Sequence, residues 1–278
     1  MKVTLIPNLT KKNAYDTTLN LCTALDSFGI SYDFYGDFSG YNVSFVGKKN
    51  ISSDTDFIIA IGGDGTMIRA AKAALPFDIP ILGINAGTLA FLVGLENNEV
   101  RLLKKLLTGE YTTEERMLID VSLFDADNQL IKTENCVNDA IFARGSHIKI
   151  VSLDFYCDNK FVSKYKADGL IVSTPTGSTA YNLAAGGPIV DPALESILLT
   201  PICPHSLDHR TIIFNSDSVL KIVNSANNNI VTVSCDGDES INFSTGYSAE
   251  IRKSKNKIKL IRLKDDSFMD ILNRKMKN

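Results

Sequence analysis

The stretch with the clearest chemical potential is a single carboxylate set among glycines. Asp64 lies between Gly63 and Gly65, directly after Gly62 and the continuous apolar run 57–61. Glycines at such a turn let backbone N–H groups approach an anion without a Cβ in the way, and the helix that starts there favours negative charge. The spacing therefore predicts a buried strand, an anion-binding turn and a helix that resumes at Thr66.

A bound phosphate repels a neighbouring carboxylate. The presence of Asp64 in this turn therefore indicates that it has a specific role. Two chemical roles fit: holding Mg²⁺, or accepting a proton from an attacking hydroxyl group. The structural alternative is that Asp64 caps the helix. Neither usual nucleotide loop is present, since Walker A ends in Gly-Lys-Ser/Thr and the Rossmann fingerprint has a third glycine where Ile68 stands.

A second stretch, residues 166–192, combines a short strand with a run of hydroxyl groups. A helix is predicted to follow from Thr179 and to stop at Gly186. Five hydroxyls in seven residues exceed what capping needs, so we predict ligand binding, with the Tyr181 ring against a base or ribose. The alternative is a well-capped helix whose hydroxyls satisfy their own turn. The five are Ser173, Thr174, Thr176, Ser178 and Thr179.

Asn138 and Asp139 form a neighbouring amide and carboxylate, which suit a ribose diol or an adenine edge. The alternative is an ordinary turn pair, and these two residues alone favour that alternative. Lys166 and Asp168 flank the second stretch and are open to the same two interpretations.

Composition narrows the class of protein. The chain has 278 residues, is 44% hydrophobic and carries a formal net charge of −3 without blocks of like charge, which argues against general nucleic-acid binding. Five scattered cysteines indicate free thiols in a reducing cytosol, and no apolar run suits a membrane span, so we expect a cytoplasmic protein. Among Cys203 and the histidines (His147, His205, His209), no second ligand cluster completes a zinc site, and we assign no protein-bound metal.

The elements that must position these residues change in character along the chain. Strand and helix patterns alternate over residues 1–115, which predicts a doubly wound α/β domain with its ligand crevice at the strand carboxyl ends. From residue 116 to 263, short alternating strands and turns such as 227–229 predict an antiparallel, sandwich-like β domain. The tail, 264–278, has helical spacing and is predicted to pack back on the first domain. Residues 36–53 have no clear period and are predicted to be a loop.

These motifs resemble those of the NAD kinases, which phosphorylate the 2′-hydroxyl of the adenosine ribose of NAD. The resemblance runs along most of the chain: GGDGT at 62–66, NAGTLAFL at 85–92, VNDA at 137–140, DGLIVSTPTGSTAYNLAAGGPIVDP at 168–192 and TPICPHSL at 200–207. GGDGT alone is shared with lipid kinases and phosphofructokinases, whereas the long fourth motif is highly specific.

The resemblance implies the same two-domain fold and assigns roles by position. Asp64 is implied as the proton acceptor, the substrates as NAD with ATP or polyphosphate, the cofactor as Mg²⁺, and the assembly as a homodimer or homotetramer. The phosphate-binding residues implied are Gly62, Gly63, Gly65 and Thr66. The NAD-binding residues implied are Asp64, Gly65, Arg69, Asn138, Asp139, Lys149, Lys166, Asp168, Thr179, Ala180, Tyr181, Asn182, Leu183 and Ala184.

Three positions depart from the family pattern, and two rival functions remain. Ala90 stands where glycine is usual, Asp238 where many relatives carry glutamine, and Thr211 where proline is usual. A lipid kinase would share the glycine turn but not the TPTGSTAYNLAAGG stretch. A non-catalytic dinucleotide sensor would bind NAD(P) without turnover, and the intact Asp64 argues against it.

Overall fold

The computed structural model describes residues 1–87, 90–145, 149–206, 209–225 and 231–276. The chain divides into two compact units, residues 1–115 with 258–278 and residues 116–257. We predicted that the chain returns to the first unit at residue 264. The structure places the return at Ile258, because the end of the last strand is itself part of the first unit's sheet, where Leu260 pairs with Ile81.

The first unit and its connection to the second contain the elements up to the first long antiparallel strand. In chain order they are β1 (Lys2–Pro7), α1 (Ala14–Ser27), β2 (Ser31–Tyr35), β3 (Gly47–Lys48), β4 (Phe57–Gly62), α2 (Asp64–Ala74), β5 (Ile81–Asn85), β6 (Leu95–Glu96), α3 (Lys104–Thr108) and β7 (Thr112–Phe124). The remaining elements are β8 (Leu130–Cys136), β9 (Asp139–Arg144), β10 (Val151–Cys157), β11 (Lys160–Ala167), β12 (Gly169–Ser173), α4 (Tyr181–Ala184), β13 (Ser196–Ile202), β14 (Ile212–Asn215), β15 (Leu220–Asn224), β16 (Val231–Cys235), β17 (Ile241–Phe243), β18 (Ser248–Arg262) and α5 (Phe268–Met276).

The first unit is built on a parallel sheet with the order β3-β2-β1-β4-β5, followed by the end of β18. After β1, the chain adds β2 and β3 on one side of that strand and then adds β4 on its other side. In open α/β sheets ligands bind beyond the carboxyl ends of the strands at such a switch point. Every residue of β4 and β5 is buried, as their continuous apolar sequences predict. The predicted α/β class is confirmed.

Two local predictions in the first unit are corrected by packing. The stretch 36–53 contains β3, and its rings cluster with β2: Phe34 stacks on Phe45 with centroids 4.1 Å apart. Burial of aromatic surface orders this segment, although its Gly/Ser/Asn-rich composition indicates a loop. Residues 99–108, whose sequence pattern predicts one continuous helix, form a 3₁₀ turn at 100–103 followed by the short α3.

The second unit is an antiparallel β structure with one shared core. One sheet has the order β14-β13-β12-β9-β16-β17, while β11, β10, β15 and β18 form another ladder and β7 pairs with β8. Phe142 of β9 and Phe155 of β10 belong to the same buried cluster, and the Phe155 ring lies 5.5 Å from that of Phe214 on β14. Side chains of the two sheets therefore fill one interior, which confirms the predicted sandwich-like domain.

Several elements of the second unit are absent from the sequence prediction. The unpredicted strands are β8, β9, β13, β14 and β17. β8 begins with four exposed residues and lacks apolar alternation, while β13 is buried over six of its seven residues and contains Pro201, which masks a strand signal. The helix predicted from Thr179 is a 3₁₀ turn at 176–179 followed by the four-residue α4. His147 and the predicted turn at 227–229 lie outside the described residues.

The tail forms α5, within the segment where helical spacing predicts it. None of its residues is buried. Among the described parts of the chain, no helix is both long and apolar enough to span a bilayer.

Candidate active site

The glycine turn joins β4 to α2 at the switch point of the parallel sheet. Gly63 is the N-cap, and α2 begins at Asp64, two residues earlier than its apolar spacing indicates. The first N–H groups of a helix have no acceptor within the helix, so those of Asp64 and Gly65 are available to an anion. A Cβ on Gly62 would lie 2.2 Å from Oγ1 of Thr66, so only glycine fits this close packing of turn on helix.

The Asp64 side chain does not cap its own helix. Oδ2 accepts the N–H of Phe91 at 2.9 Å, and Oδ1 accepts that of Leu92 at 2.8 Å. Burial raises the pKa of the Asp64 carboxyl above its ordinary value, while these two N–H groups and the charges of Lys275 and Arg262 oppose that rise. The two N–H groups orient the carboxylate, and its burial makes it a stronger base than an exposed aspartate.

The side chain of Thr66, a residue of the predicted phosphate-binding turn, packs inside the protein. Its side chain is buried, and its Oγ1 lies 3.2 Å from Nδ2 of Asn8, which donates to it. The Thr66 N–H donates to the Gly63 carbonyl at 2.9 Å, and contact between Thr66 and a phosphate stays a prediction. Asn8 directly follows β1, so it is a polar residue at the switch point that the sequence patterns did not single out.

Arg69 lies on a different side of α2 from Asp64. Five residues separate them, which corresponds to a rotation of about 140° around the helix axis. The Arg69 side chain is exposed and lines a cavity of about 190 Å³ at the carboxyl ends of β1 and β2, together with Asn8, Tyr35 and Tyr41. The predicted contact between Arg69 and NAD would therefore lie in this cavity and not next to Asp64.

In the second unit, the Asn138–Asp139 pair meets the hydroxyl-rich stretch. Asp139 opens β9 and pairs with Ser173 at the end of β12. The Asn138 carbonyl accepts the N–H of Thr174 at 2.8 Å and Oγ of Ser173 at 3.1 Å. Two motifs that are 35 residues apart in sequence therefore pack directly against each other.

The turn before β9 is fixed by Asp236, a residue that the sequence patterns marked only as part of a turn. Its carboxylate accepts three successive backbone N–H groups, from Val137 at 2.9 Å, Asn138 at 2.7 Å and Asp139 at 3.2 Å. Its own N–H donates to the Asp139 carbonyl at 2.9 Å. Asp236 thereby sets the direction in which the side chains of Asn138 and Asp139 leave the turn.

The Asp139 carboxyl group has unused capacity to accept hydrogen bonds. It is only 4% exposed, and its side chain accepts no hydrogen bond from the described residues. Burial raises its pKa to about 7, and the nearby charge of Asp236 adds to the shift. A buried carboxylate without donors is costly, and two ribose hydroxyls would supply the missing hydrogen bonds.

The five hydroxyl groups of residues 173–179 mainly form hydrogen bonds within the protein. This corrects our prediction that they donate to a ligand. Four of the five hydroxyls donate to backbone carbonyls: Ser173 to Asn138, Thr174 to Val137, Ser178 to Val190 and Thr179 to Thr176. Oγ1 of Thr176 accepts from the Arg116 guanidinium at 3.3 Å. The capping alternative therefore describes these side chains, and their bonds hold the loop in place behind Asn138.

Within residues 179–184, the ring of Tyr181 is exposed and the side chain of Asn182 is buried. Tyr181 is 43% exposed, so its ring is free to stack on a base, as predicted. Asn182 is fully buried: Nδ2 donates to the carbonyls of Ser178 and Pro188, and Oδ1 accepts from Thr200. The Asn182 side chain has no exposed surface, and the predicted contact of this residue with NAD stays a prediction. Thr179, Ala180, Leu183 and Ala184 are partly or fully exposed.

The three remaining predicted NAD contacts are placed at the surface of the second unit. Lys149 and Lys166 are exposed, and Lys166 lies on β11. Asp168 is half-buried and pairs with Arg144 at 3.4 Å. For all three, contact with NAD stays a prediction.

Gly177 provides a test of this local architecture. A Cβ at Gly177 would lie 2.2 Å from the Asn138 carbonyl oxygen and 2.6 Å from Oγ of Ser173. We expect Gly177→Ala to lower the free energy of unfolding by about 1–3 kcal/mol, as overpacking does, and to weaken NAD binding because the Asn138 turn must shift. Thermal unfolding and calorimetry with NAD measure both effects. Gly40→Ala is the matched control, since nothing lies within 4 Å of a Cβ there. Equal behaviour of the two variants would contradict the prediction.

Comparisons with known proteins agree with this architecture. The family model of the ATP-NAD kinase N-terminal domain matches residues 11–111, and that of the ATP-NAD kinase C-terminal domain matches residues 137–263. The chain is 38% identical to the NAD kinase of Natranaerobius thermophilus over 280 residues, covering 99% of this chain and 97% of the relative. It is also 38% identical to the NAD kinase of Thermoanaerobacter sp. strain X514, covering 99% and 98%.

Two solved structures share the fold. The yeast NADH kinase complexed with NADH has a TM-score of 0.87 and 23% identity, covering 100% of this chain and 87% of that chain. An NAD kinase from Archaeoglobus fulgidus in complex with ATP has a TM-score of 0.75 and 22% identity, covering 100% and 99%. The two family matches, the identity over nearly the full length and the shared fold lead to one conclusion: this chain belongs to the ATP-NAD kinase family.

Proposed function

We propose that this NAD kinase uses Asp64 as the general base in phosphoryl transfer from ATP to the 2′-hydroxyl of the adenosine ribose of NAD. The observation that carries the proposal is the Asp64 carboxylate, oriented by the N–H groups of Phe91 and Leu92 beside a helix N-terminus that can receive phosphates. A ribose hydroxyl is a poor nucleophile at neutral pH, so removal of its proton assists attack on phosphorus.

The proposed step conserves atoms and charge. The 2′-hydroxyl oxygen attacks the γ-phosphorus in line, and its proton passes to the Asp64 carboxylate. The bond between the γ-phosphorus and the β–γ bridging oxygen breaks, and ADP leaves with that electron pair. The N–H groups of Gly65 and its neighbours in the turn bind the phosphate oxygens, while positioning supplies the rest of the rate enhancement.

NAD recognition is assigned to the second unit. The Asp139 carboxylate accepts ribose hydroxyls other than the attacking 2′-hydroxyl, the Asn138 amide contacts the adenine or ribose edge, and the Tyr181 ring stacks on adenine. This assignment rests on the absence of hydrogen bonds to Asp139 from the described residues and on the exposed ring of Tyr181. Lys149, Lys166, Asp168 and Arg69 complete the proposed set of polar contacts.

Magnesium is proposed to enter with the nucleotide. The described residues contain no group of three acidic, histidine or cysteine side chains that could hold a metal ion, so we assign no protein ligand to it. Mg²⁺ bound to the triphosphate would neutralise part of its charge. We further propose a cytoplasmic homodimer or homotetramer, with polyphosphate as an alternative donor.

The direct test is NADP⁺ formation by purified protein from NAD⁺, ATP and Mg²⁺, read through an NADP-specific dehydrogenase. We expect turnover. NAD⁺ binding in calorimetry without any turnover, with either ATP or polyphosphate, would instead indicate a dinucleotide sensor. Absence of both binding and turnover would contradict the proposal as a whole.

A further inference from the structure

The C-terminal helix α5 is stabilised by polar contacts within the tail, and none of its residues is fully buried. Ser267 and Asp270 form a capping box at the start of the helix. Oγ of Ser267 donates to Oδ2 of Asp270 at 2.6 Å, and the Asp270 N–H donates to Oγ of Ser267 at 3.2 Å. The Arg274 guanidinium donates two hydrogen bonds to the Asp266 carboxylate, at 2.8 and 3.2 Å. These contacts fix the start of the helix relative to residue 266, and Lys264 ties this segment to the first unit through Glu99 at 2.7 Å.

This orientation gives the first unit a cavity of about 120 Å³ beside the segment that holds Asp64. One wall contains Ala90, Val93 and Gly94, which flank the two residues whose N–H groups bind the Asp64 carboxylate. The opposing lining includes Ile271 and Lys275, four residues apart on one face of α5. The helix therefore brings its last turn to the surroundings of Asp64.

The charged groups that line this cavity are paired, with one exception. Lys264 pairs with Glu99 at 2.7 Å, and Arg262 pairs with Glu114 at 2.8 Å. The Glu96 carboxylate accepts from Asn85 at 2.9 Å. Lys275, by contrast, forms no ion pair with the described residues, although it is half-buried.

We propose that Lys275 is a further catalytic residue, whose ammonium group binds the phosphoryl group that is transferred from the donor. The inference rests on the proposed function, because that function places the transferred phosphoryl group next to Asp64. The charge of Lys275 opposes the rise in the pKa of the Asp64 carboxyl, in agreement with the position of Lys275 in this cavity. In the step described above, Lys275 donates N–H bonds to the equatorial phosphoryl oxygens and keeps its own proton.

The unpaired charge of Lys275 favours an anionic occupant of this cavity, such as a phosphoryl group. A single unpaired ammonium beside the oxygens of the terminal phosphate binds them in the ground state and stabilises the charge that develops on them in the transition state. The occupant is therefore the terminal phosphate of ATP or of polyphosphate, and the two donors can be compared directly.

The test compares Lys275→Gln with Lys275→Arg and with Lys104→Gln, which alters an exposed lysine outside the cavity. We expect Lys275→Gln to lower kcat/KM for ATP at least about tenfold, which is the lower limit for losing a hydrogen bond to a charged group. The Kd for NAD should stay unchanged. Lys275→Arg should recover part of the loss, and Lys104→Gln should behave as wild type.

A second measurement separates a direct role from an effect through Asp64 or on folding. Binding of a non-hydrolysable ATP analogue is measured by calorimetry in the Asp64→Asn background, with and without Lys275→Gln. A further loss of affinity supports direct phosphate binding, whereas equal affinity in the two variants would overturn it. Wild-type kinetics in a folded Lys275→Gln protein would also overturn it, while the proposed function would stand. Inactive wild-type protein would instead refute the proposed function.

Discussion

Replacing Asp64 by asparagine is expected to lower the turnover number for NADP formation by about 10²–10⁴-fold, the usual contribution of a general base. The amide keeps one oxygen as an acceptor for the 91–92 N–H pair but cannot take a proton from the ribose hydroxyl. Because the predicted NAD contacts of Asn138 and Asp139 are unaffected, the Kd for NAD should change little. Steady-state kinetics and calorimetry with NAD measure the two quantities on the same preparation.

The control for this prediction addresses the altered contact with Phe91 and Leu92. In Asp64→Asn, one of these N–H groups faces an NH₂ group, so the thermal midpoint of unfolding must be measured beside the kinetics. Asp127→Asn changes an exposed turn carboxylate and should leave every quantity unaltered. Turnover within tenfold of wild type in a folded Asp64→Asn protein would end the assignment of Asp64 as the base.

Replacing Asp139 by asparagine is expected to affect binding and stability in opposite directions. The folded state raises the pKa of Asp139 from 3.8 to about 7. The native state therefore holds a proton that the unfolded state has lost, and the contribution of Asp139 to stability falls as pH rises from about 4 to about 7. At pH 8 the buried charge destabilises the protein by up to about 4 kcal/mol, and Asp139→Asn removes this cost.

The same substitution should weaken NAD binding, because an ionised carboxylate accepts ribose hydroxyls more strongly than an amide. We expect the Kd for NAD to increase about 10–100-fold. In the wild type, NAD affinity should improve between pH 6 and pH 8 as Asp139 ionises. In Asp139→Asn this dependence should disappear. Calorimetric titrations across this pH range, with parallel thermal unfolding, measure both effects.

Asp236→Asn offers an independent check on the origin of that pH dependence. Removal of the Asp236 charge eliminates one cause of the raised pKa of Asp139, so the pH at which NAD affinity improves should move downward. An asparagine at this position still accepts an N–H from the 137–139 turn, which limits the structural change. A pH profile that is identical in wild type and both variants would contradict the assigned role of Asp139.

Local sequence patterns determined the framework of this protein. Continuous apolar runs identified β4 and β5 as strands buried on both faces, and the following glycines located the anion-binding turn. The change from β/α alternation to short alternating strands identified the two domain types. These features follow from backbone geometry and side-chain periodicity, which act over a few neighbouring residues and are therefore visible in one sequence.

Tertiary structure decided which candidate side chains are available for chemistry. The hydroxyl-rich stretch looked like a set of ligand donors in sequence, but packing directs these hydroxyls to backbone groups of their own unit. The partners that orient Asp64 lie 27 and 28 residues away, and Asp236 lies 98 residues from Asn138. No local period encodes such pairs, because they form only when distant segments pack together and bury their polar groups. The position of Lys275 beside the Asp64 segment is of the same kind, since it depends on where the last helix docks.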